Sequence, residues 1–154
     1  SVRGPGSIAS ALDLWCERED LRTPALRARL LELFVRADAA RLTGDRQRVE
    51  QGARPAGPEA TLNKLVGAEL NQEVYEFCID MLGPEAALYS GYDAEPGPTP
   101  EGQDLARKFL RSRANTIEGG TSEVLRNIIG ERLLGLPGDI RVDTGKPWKE
   151  VPRG

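Results

Sequence analysis

The stretch TPALRARLLELFVRADAARLTGDRQRVEQ, residues 23–51, decides the fold class. Thr23-Pro24 is a helix start: a hydroxyl able to cap the first amides, then a proline where no amide hydrogen is needed. Leu26, Leu30, Leu33, Ala37 and Ala40 recur in alternating steps of four and three. That spacing predicts one apolar stripe on a long helix over 24–51. Arg27, Arg29, Arg36 and Arg41 lie off the stripe and are expected in solvent.

On the C-terminal side, GARPAGPEA (52–60) breaks this helix and starts another, with Pro58 near its first turn. The second helix is expected to run to about Leu82, burying Leu62, Val66, Leu70, Val74, Phe77 and Met81. Gly83-Pro84 ends it. Residues 83–101 are rich in Gly, Pro and acids and read as a long loop, a kind usually functional or mobile. A third helix is expected over 102–115, with Leu105, Phe109 and Leu110 inward. A fourth is expected over 121–135, carrying Val124, Leu125, Ile128, Ile129, Leu133 and Leu134, and stopped by Gly135 and Pro137. The tail 138–154 has little pattern and is expected to be extended or disordered. On the N-terminal side, residues 1–22 are ambiguous: Ile8, Leu12 and Trp15 recur at helical spacing in a short segment led by Gly and Pro. The expected organisation is a lead segment (1–22), a helical-bundle domain (23–137) and a tail (138–154). Apolar seams on three to four antiparallel helices predict an all-α, up-and-down bundle.

Composition narrows the function classes. Among 154 residues, 21 basic against 24 acidic ones leave a net charge of −3, which gives no general attraction to nucleic acid. No run of 18 apolar residues is present, so no membrane span is expected. The N-terminus lacks the apolar segment of a secretory signal. Cys16 and Cys78 read as two reduced thiols of a cytoplasmic protein. There is no histidine, which removes Ser-His-Asp and His-metal chemistry from this chain, and no metal site is expected. The first residue is Ser rather than Met, and the chain reads as a fragment or processed product.

The stretch with unexplained polar equipment is IEGGTSEV, residues 117–124. Gly119 and Gly120 permit positive φ and close backbone approach. Thr121 or Ser122 can cap the following helix, and Glu123 favours its positive end. Such an end, if its amides are free, suits a phosphate or diphosphate. The same residues also serve as a plain helix stop and start. Glu118 by itself reads as a surface acid.

The wider window RSRANTIEGGTSEVLRNIIGERLLGLP (111–137) strongly resembles the end of the C-terminal helical domain of the acyl-CoA dehydrogenases. GPEATLNKLVGAELNQEVYEFCIDMLGP (57–84) is similar to that family's preceding helix, and the resemblance covers about residues 20–137. It implies the C-terminal part of a four-helix-bundle domain whose first helix, bearing an Arg-x-x-Phe-Gly signature, has no counterpart before residue 20. It implies FAD-dependent α,β-desaturation of an acyl-CoA thioester: a glutamate takes the α-proton and flavin accepts the β-hydride. It implies an electron-transferring flavoprotein as acceptor and a homo- or hetero-oligomer built through the bundle. By position, Gly119, Gly120, Thr121 and Glu123 match flavin-contacting residues. Asp80 and Gly83 fall where relatives place a Gln and a Gly against the neighbouring subunit's flavin. Asp80 for Gln and Pro84 for Gly are departures. Many members carry the base directly before Gly-Thr, which here is Gly119. Glu118 stands one residue earlier, and three assignments stay open: Glu118, a base upstream, or a subunit without its own base. The resemblance implies an inactive isolated chain with an open apolar face. A standalone helical interaction module and a helix-turn-helix DNA binder are the competing readings.

Overall fold

The structure is a computed structural model that describes residues 7–52, 57–87, 101–138, 145 and 147–151. Every regular element among them is helical: α1 (Ser7–Glu17), α2 (Pro24–Gln51), α3 (Glu59–Leu82), α4 (Glu101–Ser112) and α5 (Ser122–Ile128). Short 3-10 turns cover Glu19–Leu21, Gly83–Ala87, Arg113–Thr116 and Trp148–Glu150, and a π turn, Ile129–Leu133, extends α5.

Local chemistry sets the helix ends. The Thr23 hydroxyl accepts the Leu26 amide at 3.1 Å, and Pro24 opens α2. Gly52 and Gly83 end α2 and α3 at φ +56°, a conformation glycine adopts without a Cβ clash. Their amides donate to Arg48 O and Ile79 O.

α3 is the hub, and each of the other four helices touches it. The main core joins Ile8, Ala11 and Leu14 of α1, Leu30, Leu33 and Ala37 of α2, Leu105 of α4, and a run from Leu70 to Leu82 on α3. Phe77, Val74, Cys78 and Ile8 are fully enclosed. Burying side chains of this size contributes about 1.5–3 kcal/mol each, which outweighs any helix propensity term.

Four expectations are corrected. The lead segment is not outside the bundle: α1 lies within it, and its inward stripe is Ile8, Ala11, Leu14, with Leu12 and Trp15 half-buried beside it. The small Ala11 completes a face that the larger residues alone left ambiguous. On α3 the inward residues of the first half are Leu65 and Ala68, not Leu62 and Val66. A helix packed on several sides has no single stripe. On α4 the stripe is Leu105, Phe109, Ser112, at steps of four and three, so Leu110 points out. The fourth expected helix is α-helical only to Ile128, and Leu125 alone of its apolar residues is buried. Trp148–Glu150 forms a 3-10 turn within the expected tail. Most of the expected loop (88–100) and the tail positions 139–144, 146 and 152–154 lie outside the described residues.

Candidate functional site

The polar stretch 111–124 sits against α3 between Lys64 and Glu76, and its geometry follows from the end of α4. A helix end leaves its last carbonyls without intrahelical donors. Here the carbonyls of Ser112 to Asn115, at the end of α4 and along its 3-10 extension, all find donors. Gln72 Nε2 donates to Ser112 O (3.2 Å) and Arg113 O (3.3 Å). The amides of Ile117 and Glu118 donate to Ala114 O at 3.0 and 2.9 Å. Lys64 Nζ donates to Asn115 O at 2.8 Å. The same ammonium donates to Gly120 O, also at 2.8 Å, so one side chain ties both limbs of the turn to α3. Gln72 also donates to Thr116 Oγ1, and Asn71 Nδ2 to Asn115 Oδ1.

Gly119 and Gly120 take φ of +64° and +100°. Only glycine enters this region without strain, which accounts for the pair. A Cβ on Gly120 would meet Leu125 Cδ2 at 3.1 Å, so α5 packs directly onto that backbone.

Glu118 lies on the outer side of the turn, half in solvent. Its carboxylate accepts two bonds from Arg111 Nη2 (2.9 and 3.0 Å) and one from Asn115 Nδ2 (3.0 Å). The Arg111 guanidinium, with the Asn115 amide and the Lys64 charge, holds the carboxyl below its ordinary range. A general base at neutral pH needs the opposite shift, normally from desolvation. In this chain Glu118 is an ionised clasp.

At the start of α5 Thr121 takes two of the first amides. Thr121 Oγ1 accepts the Val124 amide at 3.3 Å. The Leu125 amide donates to Thr121 O at 2.9 Å. The Glu123 pKa is lowered, chiefly through its own backbone amide and then through the Thr121 hydroxyl. The cap reading of Thr121 holds.

Asp80 and Gly83 belong to the other end of α3. Sixteen residues separate Lys64 from Asp80, about 24 Å of helix, so these residues and the turn do not meet within one chain. Asp80 pairs with Arg29, at 2.5 Å. A groove of about 1290 Å³ opens between the second half of α2 and the first half of α3. Leu62, Val66 and Ala40 line its wall, and Lys64, Asn115 and Glu118 lie at its rim.

Residues 10–134 match the family described as "Acyl-CoA dehydrogenase, C-terminal domain". The chain belongs to the acyl-CoA dehydrogenase family. The match starts inside α1, in agreement with that helix's place in the core. This acyl-CoA dehydrogenase domain is 35% identical over 122 residues to acyl-CoA dehydrogenase IpdE1 of Mycolicibacterium smegmatis, covering 77% of this chain and 27% of that protein. The chain therefore spans about a quarter of that curated relative. A solved structure titled "Tcur3481-Tcur3483 steroid ACAD" superposes with a TM-score of 0.70 at 25% identity, over 86% of this chain and 35% of that one. The ChsE4-ChsE5 complex of Mycobacterium tuberculosis gives 0.66 at 26% identity, over 88% and 37%.

A dinucleotide bound across this domain would need donors for its diphosphate. Among the residues expected there, Asp80, Glu118 and Glu123 are carboxylates, which repel a diphosphate, and the Thr121 hydroxyl already accepts the Val124 amide. The described residues form a wall and do not by themselves make a cradle. Lys64, Asn71 and Gln72, which organise the turn, escaped the sequence reading. Their signal was faint: three polar residues at i, i+7 and i+8 on a helix that carries several other polar side chains.

Proposed function

We propose that this domain is the C-terminal bundle of an FAD-dependent acyl-CoA dehydrogenase that desaturates an acyl-CoA thioester between its α and β carbons. The match over residues 10–134 carries the reading, and the bundle fold shared with a steroid ACAD supports it. The chain's own contribution is to hold the 117–124 turn against α3 and to present apolar surface to the remainder of the enzyme. The electron acceptor of such an enzyme is an electron-transferring flavoprotein, and its setting is the cytoplasm. Among the described residues, no helix is long and apolar enough to cross a membrane. Both structural relatives are titled as pairs of proteins, which supports a hetero-oligomer over a homo-oligomer.

The exposure of Glu118 and its clasp by Arg111 and Asn115 favour a base elsewhere, upstream or on a partner subunit. The test is the complete protein with its partner. A flavin absorbance spectrum and turnover of straight-chain and steroid side-chain acyl-CoA thioesters are measured, beside Glu118→Gln. Turnover with a flavin spectrum is expected, and the variant should stay within a few-fold of wild type. A loss of about 10²–10⁴-fold would instead make Glu118 the base. No flavin and no turnover with any thioester would remove the dehydrogenase reading.

A further inference from the structure

We propose that Lys64 is a positioning residue that sets the Gly119-Gly120 turn, with Asn71 and Gln72 as its auxiliaries on the same helix. The word "positioning" rests on the function proposed above; the structural part of the inference does not. Asn115 O lies in the 3-10 turn after α4, and Gly120 O immediately precedes the α5 cap. The two carbonyls belong to opposite limbs of the turn, and an ammonium reaches both at 2.8 Å. An ammonium is suited to this: it is a compact charge with three donors and no acceptor. It also places positive charge at the negative end of the α4 extension.

The stem of Lys64 contributes as well. Its Cε lies 3.7 Å from where a Cβ on Gly119 would stand, so the methylenes line the turn from beneath. Asn71 then fixes the Asn115 side chain, which bonds Glu118, and Gln72 fixes Ser112 O, Arg113 O and Thr116. Three side chains of α3 thereby determine where Ile117, Glu118 and Gly119 stand relative to the bundle. A turn containing two glycines with positive φ has many alternative conformations open to it, and this set selects one.

The test is hydrogen–deuterium exchange on the complete protein with its partner, together with steady-state kinetics, for Lys64→Met, Lys64→Arg and Asn71→Ala. In Lys64→Met the amides of residues 117, 118, 124 and 125 should exchange roughly tenfold faster or more, because local opening exposes them without global unfolding. Those of α2 and the second half of α3 should keep their rates. Turnover should fall about tenfold in kcat with KM and melting midpoint little changed, and Lys64→Arg should recover part of both. Unchanged exchange at the turn, or an increase spread evenly over α2 and α3, would overturn the inference. Turnover unaffected by a loosened turn would remove its part in the site. Should Lys64→Met fail to fold, Asn71→Ala decides: faster exchange confined to 112–118 is expected, and none there would overturn it. A wild-type protein without dehydrogenase activity would sink the functional reading, and the exchange rates would still judge Lys64.

Discussion

Glu118 shows how a neighbourhood decides a role. The same carboxylate in an apolar pocket would be a base; beside Arg111 and Asn115 it is an anion that fastens a turn. Its folded pKa is lowered from 4.5, so its contribution to stability is present above that value and lost as pH falls through the folded pKa. The gap in melting midpoint between wild type and Glu118→Gln should therefore be widest near neutrality and close towards pH 3. A gap independent of pH would show that the clasp does not depend on charge. Cys78 is the opposite case. It is fully enclosed, and burial pushes its thiol up from 9.0 to about 12. The folded state keeps that proton, so stability falls as pH rises from 9 towards 12. Iodoacetamide at pH 8 should label exposed Cys16 in the native protein and Cys78 only after denaturation. Mass mapping of the labelled peptides checks this, and native labelling of Cys78 would contradict its burial.

At the scale of elements, the turn at 119–120 separates two reasons for glycine. Gly119 has a positive φ and room for a Cβ, which would sit in ordinary contact with Lys64 Cε at 3.7 Å, whereas Gly120 combines positive φ with the 3.1 Å approach of Leu125. Alanine at 119 should cost about 1 kcal/mol for the left-handed backbone alone. Alanine at 120 should cost about 1–3 kcal/mol more, because it overpacks Leu125 as well. Denaturant titration of the two variants reads the difference, and equal losses would mean that α5 simply shifts aside. Elements with local signals were the legible ones. α2 begins at Thr23-Pro24 and ends at Gly52, and α3 stops at Gly83, all from residues adjacent to the event. What was illegible depended on distance along the chain. Lys64 lies 51 residues from Asn115, and no spacing rule connects an ammonium to a carbonyl it meets only after folding. The use of Thr121 by the Val124 amide was hidden for a related reason: the residues that advertise an anion site are also those that cap a helix. α1 was missed because its inward face is completed by Ala11, a residue that any pattern of large side chains passes over.

The whole molecule is held in register by charge as well as by its core. Four acids along α3 meet arginines from three other elements: Glu73 and Asp80 pair with Arg36 and Arg29 of α2, Glu76 with Arg113 of the 3-10 turn and Glu69 with Arg126 of α5. These pairs are half-exposed, so each contributes no more than about 1 kcal/mol, and their value lies in fixing which helix faces which. The outer side of α2 has a different character. Leu31, Val35, Leu42 and Val49 are 55%, 65%, 54% and 83% exposed. They recur at steps of four, seven and seven, which is the seam of a helix that packs against another helix. Among the described residues the core does not use that seam, since Leu30, Leu33 and Ala37 supply α2's inward face. In the oligomer proposed above it is available to a neighbouring subunit. Replacing Leu31 and Leu42 with Asp should therefore leave the helical circular dichroism signal intact, because both side chains are already in solvent. The same change should lower the oligomeric mass of the complete protein by sedimentation, because it puts charge into an apolar contact. An unchanged mass would place the subunit interface on another face of the bundle, with α5's exposed Val124 and its neighbours Leu134 and Leu136 the next surface to test.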